Sequence, residues 1–225
     1  MSPAYAETLQ VGFRPYPPLM IEESNTGIYY DILNRISTIT GITFEISFAP
    51  NARHKADFEQ NIIDIEAGIN PAWRKTSKVP GLYTIPFYNI KDIILFKPED
   101  YIQVRSPADL AGKQVGVVRG YSYPIFTNSF ASGEIERVDL KDGPSLLKFF
   151  SSERINYIFM NKTVFEYWML NRSDNHKYEM GDVVLTADVM LRVHPSKKHL
   201  LPQLNTAIEQ LISTGEIEKI YAQYR

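Results

Sequence analysis

"YYDILNRISTITGITFEISFA" (residues 29–49) changes its hydrophobic period partway along. Tyr29, Ile32, Leu33 and Ile36 step by three and four, the spacing of one face of a helix. Gly41 stands where such a helix stops, and the residues after it alternate apolar and polar as a strand does. Working outward, "LQVGF" (9–13) alternates and runs into the turn-forming "RPYPP" (14–18), so a strand precedes the helix. "HKADFEQNII" (54–63) reads as a short helix and "DIEAGI" (64–69) as a third strand. Strand, helix, strand, helix, strand is the signature of an α/β layer on a mainly parallel sheet.

The layout recurs further on. "IKDIILFKPED" (90–100) reads as a strand leading out of the first unit. "SPADLAG" (106–112) reads as a helix start, with Ser106 as cap, Pro107 at the first helical position and Asp109 complementing the dipole. Then come a strand "QVGVVRG" (114–120), a helix "YPIFTNSFASG" (123–133), a strand "IERVDL" (135–140), a helix "GPSLLKFFSSE" (143–153) and a strand "INYIFMN" (155–161). "FEYWML" (165–170) has helical spacing, which makes Phe165 and Trp168 core residues. "DVVLTADVMLRV" (182–193) is long enough for two strands and carries the chain back. In the tail Leu201, Leu204, Ile208 and Leu211 form one buried helical face. Gly215 ends that helix, and Ile217, Ile220 and Tyr224 continue the pattern.

The expected fold is therefore α/β with two lobes, the second inserted in the first. Lobe 1 takes residues 1–94 plus 190–225 and lobe 2 residues 95–189, with two crossings near Lys91–Phe96 and Ala187–Val193. A cleft between lobes, lined by loops at the carboxyl ends of strands, is the default ligand site in such a layout.

Composition narrows the function. The chain has 225 residues, 44% hydrophobic and 22% charged, with net charge −2. No Lys/Arg run marks a nucleic-acid footprint, and Arg53, Lys55, Lys75 and Lys78 are scattered among acids and turn residues. Cysteine is absent, which removes disulfides, thiolate metal sites and a cysteine nucleophile. His54, His176, His194 and His199 lack metal-ligand spacing, so neither metal nor cofactor is expected. No G-x-S-x-G, H-E-x-x-H, P-loop or G-x-G-x-x-G occurs, and no carboxylate pair is placed for acid/base work, which argues against an enzyme. No stretch approaches the ~20 apolar residues that span a bilayer. "MSPAYAETLQVGF" (1–13) lacks charged and apolar leader regions, while "AYAET" has the small residues found near a cleavage site, as in a mature exported chain.

"GINPAWRKTSK" (68–78) sets the site. Asn70 and Pro71 turn the chain just past a strand, and Trp73 and Arg74 follow side by side. Together with "VGFRPYPPLM", "TGIYYDIL", "YTIPFY", "SPADLAGKQVGVVRGYSY" and the ending "LPQLNTAIEQLISTGEIEKIYAQYR", the segment resembles, in order, the motifs of one family. That family is the periplasmic solute-binding proteins of ABC importers, polar amino-acid type (bacterial extracellular solute-binding family 3), and the resemblance covers nearly the whole chain. It implies a two-lobed (type II) binding-protein fold and a monomer in the periplasm. The function it implies is capture of a small carboxylate-bearing, amino-acid-like solute by closing lobes and delivery to a membrane permease. A ligand sensor of a signalling system has the same fold and stays open as an alternative.

The resemblance also assigns residues. Arg74 grips the ligand carboxylate, a role that suits a planar fork of N–H donors. Asn70 belongs to the same site, and Trp73 either walls it or supports the arginine. Tyr16 walls the ligand in the first lobe. Gly120, Tyr121, Ser122 and Tyr123 present a helix N-terminus in the second. Arg119 is either a second anion contact or a solvent charge. Asn161 stands where α-amino-acid binders place an aspartate for the ligand ammonium; it brings no charge but accepts a hydrogen bond. A substitute acid is sought in Glu66 or Asp188, with a satisfied structural carboxylate as the competing reading of each.

Overall fold

The computed structural model describes residues 7–49, 51–170, 172–173 and 177–225, with residues 51 and 52 described by backbone only. The small-residue start at 4–6 and His176 lie outside the described residues.

In chain order the elements are β1 (Thr8–Phe13), α1 (Ile28–Thr40), β2 (Thr43–Phe48), α2 (Asn51–Glu59), β3 (Ile65–Ile69), β4 (Leu82–Tyr83), β5 (Tyr88–Phe96), β6 (Gln114–Val118), α3 (Thr127–Ser132), β7 (Glu136–Leu140), α4 (Gly143–Ser151), β8 (Tyr157–Asn161), α5 (Lys162–Met169), β9 (Glu179–Val193), α6 (Leu201–Ser213) and α7 (Glu216–Ala222). The chain divides into two compact units. Unit 1 is Met1–Asn89 with Asp188–Arg225, and unit 2 is Ile90–Ala187.

The sheet of unit 1 runs β2-β1-β3-β9, with β4 also paired to β9. β1 lies parallel to β2 and β3, while β9 returns antiparallel to β3. α1 buries Ile28, Tyr29, Ile32, Leu33 and Ile36, the face that the period of the sequence marks. It packs against α6, which buries Leu204, Ala207, Ile208 and Leu211. Tyr224 fastens the far end of the chain to the start of α1, accepting from the Gly27 amide (3.1 Å) and donating to Asp31 (2.8 Å). The β3–β9 ladder slips a register between Ala67 and Ile69. Gly68 makes that slip possible: its φ is +72°, and a Cβ there would lie 2.3 Å from the Tyr29 ring.

In unit 2 the order is β5-β8-β6-β7, with β9 beside β5. β6 is parallel to β7 and β8, and β5 is antiparallel to β8. Ile94, Phe96, Val115, Val117, Phe126 and Phe159 belong to its core. Phe165 is buried as expected, whereas Trp168 is only half-buried.

Two local expectations change. "SPADLAG" forms a 3-10 turn (Pro107–Leu110) rather than an α-helix, held by Asp109 accepting from the amides of Arg105 (2.9 Å) and Ser106 (2.7 Å). "DVVLTADVMLRV" is part of one 15-residue strand, with no glycine or proline between residues 182 and 193 to break it in two.

Candidate functional site

β3 ends at Ile69, and Pro71 cannot continue a ladder. The chain turns instead into a 3-10 helix, Pro71–Arg74, whose first turn is capped by Asn70 Oδ1 accepting from the Ala72 amide (2.9 Å). Asn70 Nδ2 donates to the Asp188 carbonyl (2.8 Å), so one end of this amide caps the turn and the other holds it against β9. Asp188 is exposed, and its Oδ1 accepts from Asn89 Nδ2 (2.9 Å). Asn70 and Asp188 thus shape the loop that carries Trp73 and Arg74. The Trp73 side chain is half-buried.

Arg74 reaches back over β3. Its Nε donates to Glu66 Oε2 (3.2 Å) and its Nη2 to Glu66 Oε1 (2.8 Å), a two-pronged ion pair. Glu66 is itself buried and sits directly across the ladder from Arg192 of β9, whose Nη1 donates to Glu66 Oε2. Both carboxylate oxygens of Glu66 therefore meet guanidinium donors. Burial pushes its carboxyl up, but the hydrogen bonds and charges of Arg74 and Arg192 outweigh burial and hold it below the ordinary value. Nearby His54 is buried, and burial lowers its pKa, which keeps it neutral at neutral pH.

The three charged residues sum to one excess positive charge. A guanidinium presents two edges to carboxylates, Nε–Nη2 and Nη1–Nη2. Glu66 occupies the first edge of Arg74. On the second, Nη1 lies 3.5 Å from the Trp73 carbonyl oxygen, and the side chain keeps 22% exposure. This geometry suits a second carboxylate. Tyr16 is half-buried at a tight turn with Met20, and the Arg14 guanidinium lies 5.0 Å from its ring centroid.

The residues of unit 2 group differently. Asn161 ends β8 and caps α5, its Oδ1 accepting from the Val164 amide (3.3 Å). Its Nδ2 donates to Asp92 Oδ1 (3.3 Å), and both side chains are buried. Burial raises the Asp92 carboxyl to about 6, although hydrogen bonds from Tyr123 and Asn161 pull it down. Tyr123, expected at the ligand, is instead a core residue: its ring packs edge-on against Phe159 at 5.1 Å and its hydroxyl serves Asp92. The expected helix N-terminus is a 3-10 turn, Pro124–Phe126, running into the six-residue α3, and Pro124 sets where it starts. Arg119, Gly120 and Ser122 are exposed and Tyr121 half-buried, its carbonyl accepting from Arg137 Nη2 (2.9 Å).

Sequence reasoning singled out neither Arg192 nor Asp92. The signal was the one that marked Glu66, a charge inside an apolar strand: "DVMLRV" and "IKDIILF" carry it too. No group of three or more His, Cys, Asp or Glu residues fit to hold a metal occurs among the described residues.

Known proteins share this architecture. The ligand-binding core of GluR0 in complex with L-glutamate superposes with a TM-score of 0.80 at 16% identity, covering 98% of this chain and 99% of that one. An ancestral arginine-binding protein bound to arginine gives 0.78 at 19% identity, covering 96% and 97%. In sequence, the putative ABC transporter arginine-binding protein 2 of Escherichia coli (strain K12) is 24% identical over 250 residues, spanning 100% of this chain and 93% of the relative. The ordered motifs, the two α/β units and a match that runs from residue 9 to residue 225 agree: the chain belongs to the bacterial extracellular solute-binding proteins, family 3.

Proposed function

We propose that this protein is a non-enzymatic, monomeric periplasmic binding protein for a small amino-acid-like solute, which it hands to an ABC importer permease. The observation that carries the proposal is Arg74. Glu66 holds one edge of its guanidinium, and the other edge suits a carboxylate in a cluster with one excess positive charge. Tyr16 and Trp73 flank the solute in this reading. Capture by lobe closure and delivery to a permease are supported by the family and by relatives named as arginine-binding proteins of ABC transporters.

A thermal-shift screen against amino acids, organic acids and amines tests the proposal, with titration calorimetry on the hits. At a hundred times its Kd, a ligand adds roughly 2.7 kcal/mol of stability. The expected hits carry a carboxylate, with L-arginine and L-glutamate as first probes. A screen in which only carboxylate-free amines stabilise the protein overturns the assignment of Arg74.

A further inference from the structure

Arg192 is fully buried and heads the largest such side chains. A guanidinium taken out of water is costly unless each of its donors finds an acceptor. Here each of the three nitrogens meets an acceptor. Nη1 meets Glu66, Nη2 meets Ser77 Oγ (3.0 Å) and the Val79 carbonyl, and Nε meets the Pro80 carbonyl (3.3 Å). The guanidinium carbon lies 3.9 Å from the centroid of the Phe58 ring. Residue 81 has to be glycine, since its φ is +74° and a Cβ would stand 2.7 Å from Arg192 Nε. These contacts form a cradle built for one cation.

Such a cradle is a poor route to stability alone, because an apolar side chain of similar volume fills a core at least as well. What it does deliver is a fixed Glu66. Oε2 is shared between Arg192 Nη1 and Arg74 Nε, while Oε1 takes Arg74 Nη2. Arg192 thus decides where the carboxylate stands, and the carboxylate decides how the Arg74 plane is turned. We propose that Arg192 is a positioning residue. Acting through Glu66, it clamps the Nε–Nη2 edge of Arg74 and leaves the Nη1–Nη2 edge set to receive a carboxylate. The last clause rests on the binding function proposed above; the clamp itself does not.

The competing account is that Arg192 only pins the 77–81 segment. Side-chain NMR of the full chain, labelled with 15N-arginine, separates the two. The Nε–Hε signal of Arg74 is assigned by its loss in Arg74→Lys. With Arg192 clamping through Glu66, the ligand-free wild type shows this proton protected from solvent exchange. Arg192→Lys and Glu66→Gln each shift the signal and speed its exchange, although Arg192 never touches Arg74. Affinity for L-arginine or L-glutamate falls roughly tenfold to a hundredfold in the same variants. Ser77→Ala covers the case in which Arg192→Lys does not fold: it removes the hydroxyl that meets Arg192 and Glu59, leaves Glu66 and the Arg74 guanidinium untouched, and keeps the backbone bond from the residue 77 amide to the Arg74 carbonyl; it produces a smaller shift in the same direction.

An Arg74 signal that responds to Glu66→Gln but ignores Arg192→Lys and Ser77→Ala overturns the positioning role, even where an amino acid binds. If the signal responds but no amino acid or organic acid binds the wild type, the clamp stands and the binding function falls.

Discussion

Asn161 Nδ2 lies 3.3 Å from Asp92 Oδ1, on directly paired residues of two antiparallel strands, and neither side chain reaches bulk solvent. A buried carboxylate thus rests on an amide and a phenol, with its pKa raised to about 6 chiefly by burial. Glu66 meets the same burial with two guanidinium groups and ends below its ordinary value. The two carboxylates respond to pH in opposite directions.

For Asp92 the folded chain holds its proton more tightly than the unfolded chain, whose value is 3.8. Between those pH values the folded state binds more protons, so this group's contribution to stability falls as pH rises from about 4 to about 6. Asp92→Asn removes that slope. The stability of the variant relative to wild type should climb across the window by about 3 kcal/mol. Denaturant unfolding at pH 4, 5, 6 and 7 measures it, and a constant difference refutes it.

Asn161→Asp keeps the cap on α5, since the new carboxylate still accepts from Val164, but sets a second acid against Asp92. Two carboxylates at this spacing share one proton. The variant should lose about 1–3 kcal/mol at pH 8 and recover most of it near pH 5. Its preference should also move toward ammonium-bearing ligands. An unchanged ligand profile takes Asn161 out of the ligand's reach.

Arg74→Ala leaves Glu66 paired with Arg192, so the ligand-free protein stays folded and melts within a few degrees of wild type. Stabilisation by L-arginine, L-glutamate or whichever carboxylate the screen finds should vanish. Collapse of the ligand-free variant in a thermal melt would make Arg74 a structural residue.

Gly68→Ala forces a side chain into a left-handed backbone position and against the Tyr29 ring, 2.3 Å from the new Cβ. The expected loss is about 2–4 kcal/mol. Chemical denaturation reads it; a loss under a few tenths would mean that Tyr29 yields freely.

Much of the fold was legible because it is written in periods. The helical step of Tyr29, Ile32, Leu33 and Ile36 and the alternation of the following strand survive any packing partner. The site was legible in part. Glu66 betrayed itself as a charge in an apolar strand, and Arg74 by its place after a strand end. The alliances of these residues were not legible. Glu66 meets Arg192, 126 positions later, only because β9 returns antiparallel beside β3. Tyr123 read as part of a helix N-terminus facing the ligand, and its burial follows from its packing on the sheet face that carries Asp92 and Phe159. The 3-10 turns at Pro71, Pro107 and Pro124 share one sequence signal, a proline in the first turn, with α-helix starts.

The β3–β9 pairing also sets an order of events on the ribosome. Unit 2 is one unbroken segment, so it has everything it needs before the strand bearing Arg192 is fully translated. During that interval Glu66 has no buried cation from β9, and the first half of unit 1 waits as an open sheet edge. A chain truncated after residue 187 should therefore hold a finished second unit and an unfinished first one.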